Sequence, residues 1–156
     1  MKNDANLIRA NVDMHDRMVQ EIEKACPGCD FETQAFFQPL PSVVARHAIE
    51  QGGDVLGLDG NQDNAVILLA SVAVKDEKNE KLARAAIMKW KRASERYGQQ
   101  SDGLLPFIYM NYADGSQDVI KHYGNANAEK LRKVAGSYDP NGVLQKRVPG
   151  GFKIPR

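Results

Sequence analysis

Asn111 and Tyr112 stand side by side at the end of the apolar run Leu104–Tyr112, where a buried strand would give way to loop. A phenol in that position can donate or accept a proton. It serves as a base only if its pKa is lowered, and as a hydrogen-bond donor without that condition. Asn111 beside it could help polarise a carbonyl, or could equally be a turn former. The plainer alternative for Tyr112 is a strand-end tyrosine with its ring in the core and its hydroxyl at the surface. On an extended strand Phe107, Tyr109 and Asn111 share one face, while Ile108, Met110 and Tyr112 share the other. Asn111 and Tyr112 therefore reach one pocket only if the strand ends or twists between them.

Gln38 and Asp54 are the next candidates. Both are polar residues at the ends of expected strands, near the same end of a sheet. Asp54 would add a negative charge or a general base; its alternative is a solvated turn residue after Gly52-Gly53. The two cysteines form Cys26-Pro27-Gly28-Cys29, a spacing that invites a redox or zinc reading. Thioredoxin-like chemistry needs the first cysteine at a helix N-terminus. Here the pair follows a helical run, where the dipole works the other way. Zinc would want four ligands, and His15, His47 and His122 are scattered singly. The pair reads as a helix stop. Asp59-Gly60-Asn61-Gln62-Asp63 faintly suggests a calcium loop, but Asn64 stands where that loop needs glycine and Ala70 where it needs glutamate. The glycines at 52, 53, 57 and 60 do not make a G-x-G-x-x-G fingerprint.

The elements that must position these residues follow from periodicity. From Val12 to Ala25, Met14, Met18, Ile22 and Ala25 recur at helical spacing. Phe31–Gln38 reads as a strand ending at Pro39. Pro41–Gln51 reads as a short helix closed by Gly52-Gly53. Val55–Leu58 is expected as a short strand forming a hairpin with the long apolar strand Ala65–Val74. Lys75–Tyr97 is the clearest helix, with Leu82, Ala86, Trp90, Ala93 and Tyr97 as its buried stripe and Gly98 as its end. Leu104–Tyr112 is the next strand, and helical segments follow. The expectation is an α+β fold: an antiparallel sheet of about four strands with helices packed mainly on one face, plus a helical C-terminal tail.

At 156 residues the chain reads as a single domain, 1–112 forming the sheet and its helices and 113–156 the tail. It is 42% apolar and 26% charged with a formal net charge of +1, the balance of an ordinary globular protein. Nothing in that balance favours nucleic acid or an anionic membrane as partner. No apolar run approaches the roughly 20 residues of a membrane span. The N-terminus Met-Lys-Asn-Asp-Ala-Asn is polar and does not read as a signal peptide, so a cytoplasmic location is expected.

The last third resembles the C-terminal end of the berberine-bridge-enzyme-like family of FAD-linked oxidoreductases, especially its fungal members. The matching pieces are Asn111-Tyr112-Ala113-Asp114, Tyr123-Gly124, Asn127, the Leu131–Val134 helix, Tyr138-Asp139-Pro140 and Pro149-Gly150-Gly151-Phe152. Gln38-Pro39-Leu40-Pro41 and Gly52-Gly53-Asp54-Val55-Leu56-Gly57-Leu58 resemble two further family segments, the second usually with Asn where Asp54 stands. The resemblance implies that residues before Leu104 form the later part of a substrate-binding domain, and that residues after Tyr112 form a tail that packs back on a flavin domain. It implies that Tyr112 stands beside the substrate, often as the base in oxidation, with Asn111 next to it. The strands carrying Gln38 and Asp54 would wall the substrate pocket, with Phe37, Tyr109 and Met110 as further substrate contacts.

Such a family holds its flavin in a large preceding domain, for which this chain has no room. No cofactor is therefore expected, with FAD present only if a separate flavin domain supplies it. Two functions are expected to compete. One is a stand-alone, cofactor-independent enzyme acting on a mostly apolar secondary metabolite by cyclisation, pericyclic reaction, isomerisation or dehydration, with Tyr112, Asn111 and Asp54 catalytic and Gln38 assisting. The other is a fragment or subunit of an FAD-dependent oxidoreductase, or a non-catalytic metabolite-binding module with a basic tail, Lys146–Arg156, suited to a partner. An incomplete sheet leaves an unpaired edge, which a homodimer would cover at least cost.

Overall fold

In the computed structural model, which describes residues 1–155, Asp4 opens the first helix, α1 (Ala5–Ala25). Its carboxylate accepts from the backbone N–H of Asn6 at 2.8 Å and of Leu7 at 3.0 Å, a cap worth about 1 kcal/mol. That cap starts the helix roughly two turns before the expected Val12. The buried stripe is Leu7, Asn11, Met18 and Ile22. Asn11 is a polar intruder: its Nδ2 donates to Leu7 O at 2.8 Å, but its buried Oδ1 has no partner.

Strands β1 (Phe31–Leu40) and β2 (Ala65–Val74) pair antiparallel from Phe31↔Val74 to Leu40↔Ala65. Residues directly opposite share a face. Phe31, Leu68, Ala70 and Val72 pack against Met18 and Ile22 of α1 and Trp90 of α3 (Glu77–Gln100). The pleat therefore turns Phe37, opposite Leu68, toward the helices, and turns Phe36, opposite Leu69, and Gln38, opposite Ile67, to the other face. Pro39 lies within β1 rather than ending it, which an edge strand tolerates because no partner needs its N–H. Met1 and Lys2 run against the start of β2: the terminal amine donates to Val66 O and Met1 O accepts from Val66 N.

The fold is α+β, with helices on one face of the sheet, but the sheet has two strands and not about four. Val55–Leu58 is an irregular loop. Gly57 within it has φ +73°, a left-handed conformation that breaks a strand. β2 therefore pairs with the distant β1 instead of forming the expected hairpin. The run from Leu104 is extended but unpaired, and ends in a 3₁₀ turn at Met110–Tyr112. Pro106 sits in its middle and has no N–H to give a ladder. Two details of α3 also differ. Ala93 is exposed, and the helix runs past Gly98 to Gln100. Gly98 O accepts from Gly103 N and Leu104 N at 2.7 and 3.0 Å, so that residue receives the returning chain rather than stopping the helix.

The chain forms two compact units interleaved in sequence. The first comprises Met1–Pro41 and Asp63–Leu105, the layer just described. The second comprises Ser42–Gln62 and the residues from Pro106 onward. It contains α2 (Ser42–Glu50), α4 (Val119–His122), α5 (Asn125–Tyr138) and α6 (Val143–Lys146). Its core is Val119, Ile120, Tyr123 and Ala128, with Leu56, Phe107 and Phe152 packed against it. Arg156, the last residue of the basic tail, lies outside the described residues. Among those described, no helix is long and apolar enough to cross a membrane.

Ile22 is 1% exposed at the centre of the first unit's core. Ile22→Ala is expected to cost about 2–5 kcal/mol, the range for deleting a buried aliphatic side chain. Urea unfolding followed by circular dichroism measures this, and a loss under 1 kcal/mol would place the main core elsewhere.

Candidate functional site

The 3₁₀ turn changes which side chains meet. Tyr112 N donates to Tyr109 O at 3.1 Å and Ala113 N to Met110 O at 3.3 Å. In such a turn residues three apart eclipse one another. The rings of Tyr109 and Tyr112 accordingly lie edge to face, 4.8 Å apart at 88°. Asn111 Nδ2 donates to Tyr109 Oη at 2.9 Å. Strand alternation would have put Tyr112 across the sheet from Tyr109 and Asn111, and the turn gathers all three. Met110 does not join them and packs into the second unit's core. Tyr112 keeps 42% of its surface exposed, so its ring can meet a ligand.

The aromatic row continues inward. Phe107 lies 6.5 Å from Tyr109 and stacks on Tyr123 at 6.2 Å and 15°. Tyr123 is buried. Burial first, then the neighbouring Tyr109 and Asp54, holds its phenol above the ordinary tyrosine range. Tyr123-Gly124 is among the motif residues of the sequence. Its importance comes from packing, which a motif does not display.

Asp54 is brought to this row by the loop after α2. That helix ends with Gly53 N donating to Ala48 O at 2.7 Å. Asp54 Oδ1 then accepts from Leu56 N at 2.8 Å, a local turn that aims the loop inward. Gly57 lies against the backbone of Tyr123: a Cβ there would come within 2.6 Å of Tyr123 O. Only glycine allows this approach and the positive φ together. A cavity of about 350 Å³ opens beside the loop, lined by Ala45, Ala48 and Ile49 of α2 and by Gly52, Gly53, Asp54 and Asp59.

The sequence candidates thus fall into two groups. Tyr109, Asn111 and Tyr112 touch, and Asp54 is linked to them through Tyr123. Gln38 and Phe37 belong to the first unit and point to opposite faces of β1. Two of the histidines have hydrogen-bond partners: His15 Nε2 lies 2.8 Å from Thr33 Oγ1, and His122 Nδ1 lies 2.7 Å from Asp118 O. Among the described residues no cluster could hold a metal ion. The helix stop at Cys26-Pro27-Gly28-Cys29 is realised, α1 ending at Ala25, and the two cysteines are joined in a disulfide.

Residues 108–147 match the model of the family described as berberine and berberine like. Over 156 residues the chain is 40% identical to the FAD-dependent monooxygenase drtC of Aspergillus calidoustus, covering 98% of this chain and 29% of that relative. It is 30% identical to the FAD-dependent monooxygenase sdcF of Emericella nidulans, covering 99% and 32%. It is 33% identical to the FAD-dependent monooxygenase FUP4 of Fusarium proliferatum, covering 94% and 30%. The chain thus carries a berberine-like segment and is similar along nearly its whole length to proteins named FAD-dependent monooxygenases. It spans about three tenths of the length of the curated relatives it matches. No solved structure matches it. The cavity beside α2 does not fit the diphosphate of FAD, because Asp54 and Asp59 line it and would repel that anion.

Tyr123 is expected to ionise above the ordinary tyrosine range. Ultraviolet titration checks this: Tyr123→Phe should remove a phenolate step above that range, and Asp54→Asn should move that step to lower pH. Native Tyr123 binds its proton more tightly than the unfolded chain does, so stability falls as pH rises above about 10. Tyr123→Phe should make that alkaline loss shallower. Gly57→Ala is expected to destabilise the second unit by more than about 1 kcal/mol, because strain and a backbone clash coincide. Unchanged thermal unfolding of that variant would remove the close approach from the argument.

Proposed function

We propose that this chain forms the substrate-side wall of an FAD-linked oxidoreductase acting on a mostly apolar small molecule, with the flavin held by residues outside it. The observation that carries this reading is the end-to-end match to relatives named FAD-dependent monooxygenases, over 94–99% of the chain. Tyr112 presents an exposed phenol at a rigid turn, where it would give or take a proton at the substrate. Asn111 fixes that turn through its hydrogen bond to Tyr109 and offers its carbonyl for the substrate. Asp54 supplies negative charge at the inner end of the row. In the first unit Gln38 is exposed on β1, on the face opposite Phe37, and in the second unit Met110 packs into the core beneath the turn.

The direct test is a chimera in which this chain replaces the matching segment of the Aspergillus calidoustus relative. The hybrid is expected to bind flavin and oxidise that relative's substrate. Tyr112→Phe in the hybrid should slow turnover by about 10-fold or more, the low side of general acid–base contributions. A flavin-loaded hybrid whose rate is unaffected by Tyr112→Phe would move the proton transfer to another group. Flavin absorbance in the isolated chain would overturn the placement of the flavin outside it.

A second reading rests on the self-contained contact of Asn111, Tyr109 and Tyr112, which needs no further group to form. In it, the chain alone catalyses a cyclisation, pericyclic step, isomerisation or dehydration. Holding a flexible substrate in a reactive conformer can supply on the order of 7–11 kcal/mol at best. Turnover of such a substrate by flavin-free protein would favour this reading over the first.

Either form is proposed to associate as a homodimer. The outer edge of β1 has no strand partner among the described residues, and an open edge of this length invites pairing. Size-exclusion chromatography with light scattering at micromolar concentration is expected to give a dimer mass, and a monomer would remove the edge-pairing argument.

A further inference from the structure

The Cys26–Cys29 pair takes no part in the site described above, and its surroundings assign it a chemistry of its own. Cys26-Pro27-Gly28-Cys29 is a tight turn. Cys29 N donates to Cys26 O at 3.1 Å, and Gly28 has φ +82°, as the third residue of a type II turn requires; proline is the favoured second residue. The turn alone brings the two Cα atoms to 5.5 Å, inside the range that a disulfide spans. The backbone therefore presents the sulfurs to each other whether or not they are bonded. The bond closes a loop of only a few residues, so it removes little chain entropy from the unfolded state. α1 is held by its own stripe on α3 and β2, not by this bond.

The pair is partly accessible. Cys26 and Cys29 are half-buried, Pro27 and Gly28 between them are exposed, and nothing lies within 4 Å of the Cβ position at Gly28. One of the sulfurs has a polar neighbour. Cys26 Sγ lies 3.7 Å from Asn79 Oδ1, in the first turn of α3. Reduced, Cys26 would have a thiol proton to donate to that oxygen.

We propose that Cys26–Cys29 is a surface redox site that exchanges two electrons with small thiols and disulfides while the fold stays intact. A thiolate of a low-molecular-weight thiol attacks Cys29 Sγ. The S–S bond breaks, its electron pair leaves on Cys26, and that sulfur takes a proton from solvent, the resulting S–H hydrogen-bonding to Asn79 Oδ1. A second thiolate attacks the sulfur of the small thiol in the mixed disulfide, releasing the oxidised small disulfide and leaving Cys29 as a thiolate that is protonated. The protein gains two electrons and two protons, and two small thiols become one disulfide. Oxidised small disulfide reverses the sequence. The site is independent of the flavin and substrate reading above, so neither result bears on the other.

The experiment uses the whole chain with reduced and oxidised glutathione as probes. Thiol titration of native protein should find no free thiol before treatment and two after reduction and desalting. Excess oxidised glutathione should return the count to zero with the chain still monomeric by mass in denaturant. Far-ultraviolet circular dichroism should be unchanged throughout. Cys29 in Cys26→Ser is expected to form the mixed disulfide about 10-fold faster than Cys26 in Cys29→Ser, from the polar neighbour of Cys26. Reduction that proceeds only in denaturant, loss of helical signal on reduction, or reoxidation to disulfide-linked pairs of chains would each overturn the proposal. Equal rates in the two single variants would overturn the order of attack.

Discussion

The first unit depends on the register of β1 against β2. These strands are joined only through the whole excursion Pro41–Asn64, so the ladder must bring together residues far apart in sequence before either helix has a surface to cover. Once Leu40 faces Ala65 and Phe31 faces Val74, alternation does the rest. Leu68, Ala70 and Val72 fall on one side, opposite Phe37, Ala35 and Thr33. α1 and α3 then bury Met18, Ile22 and Trp90 on that surface. A slip of one residue would send the apolar set of β1 to the other face and Gln34 and Gln38 into the helices. Two strands suffice because the helices, not further strands, supply the core.

The second unit depends on a different constraint, the approach of Gly57 to the Tyr123 carbonyl. It has little regular structure, and short helices such as α4 and α6 hold no stability of their own. What orders it is a small core in which Leu56 from the loop, Phe107 from the extended run and Phe152 from the tail meet around Tyr123. The chemistry at its edge inherits that order. Asp54 is aimed by the same loop that Gly57 seats, and Tyr112 is reached from Tyr123 through Phe107 and Tyr109. A row of rings fixed at its buried end can hold an exposed phenol in one place without a strand to carry it.

Much of this was legible in the sequence, in proportion to how local its cause is. The stripes of α1 and α3 follow from spacing alone, as does the alternation of β1. The start of α1 escaped because it is set by one capping carboxylate, Asp4, amid other polar residues. Val55–Leu58 and Leu104–Tyr112 look like strands in the sequence because apolar runs resemble strands. Whether a run finds a ladder depends on partners elsewhere, and Gly57 and Pro106 spoil these two. The same error hid the site's geometry. Asn111 and Tyr112 stood out as neighbours, but the meeting of Tyr109 with Tyr112 needs a 3₁₀ turn, which no period-2 pattern contains. Tyr123 was invisible as a site residue since burial and two neighbours make it unusual, and all three are tertiary facts.

The tail raises the remaining physical question. Tyr138 is 88% exposed and Leu144 61%, with Val134, Val143 and Val148 each about half exposed. Single exposed apolar residues are ordinary on a protein surface, and these five fall within one stretch of helix and turn. The same stretch is well ordered from within. Asp139 accepts from Val143 N and Leu144 N at 2.8 Å each, and Lys153 Nζ donates to Leu144 O and Val148 O. These polar bonds hold the exposed apolar side chains in place on their own backbone. Under the proposed function, further protein in an oxidoreductase three times this length would lie against them. A stand-alone enzyme would have to cover it with a second copy of itself. The two readings differ in energetic cost: covering the tail by residues of the same polypeptide costs no loss of translational freedom, whereas a dimer must offset that loss with the buried area alone.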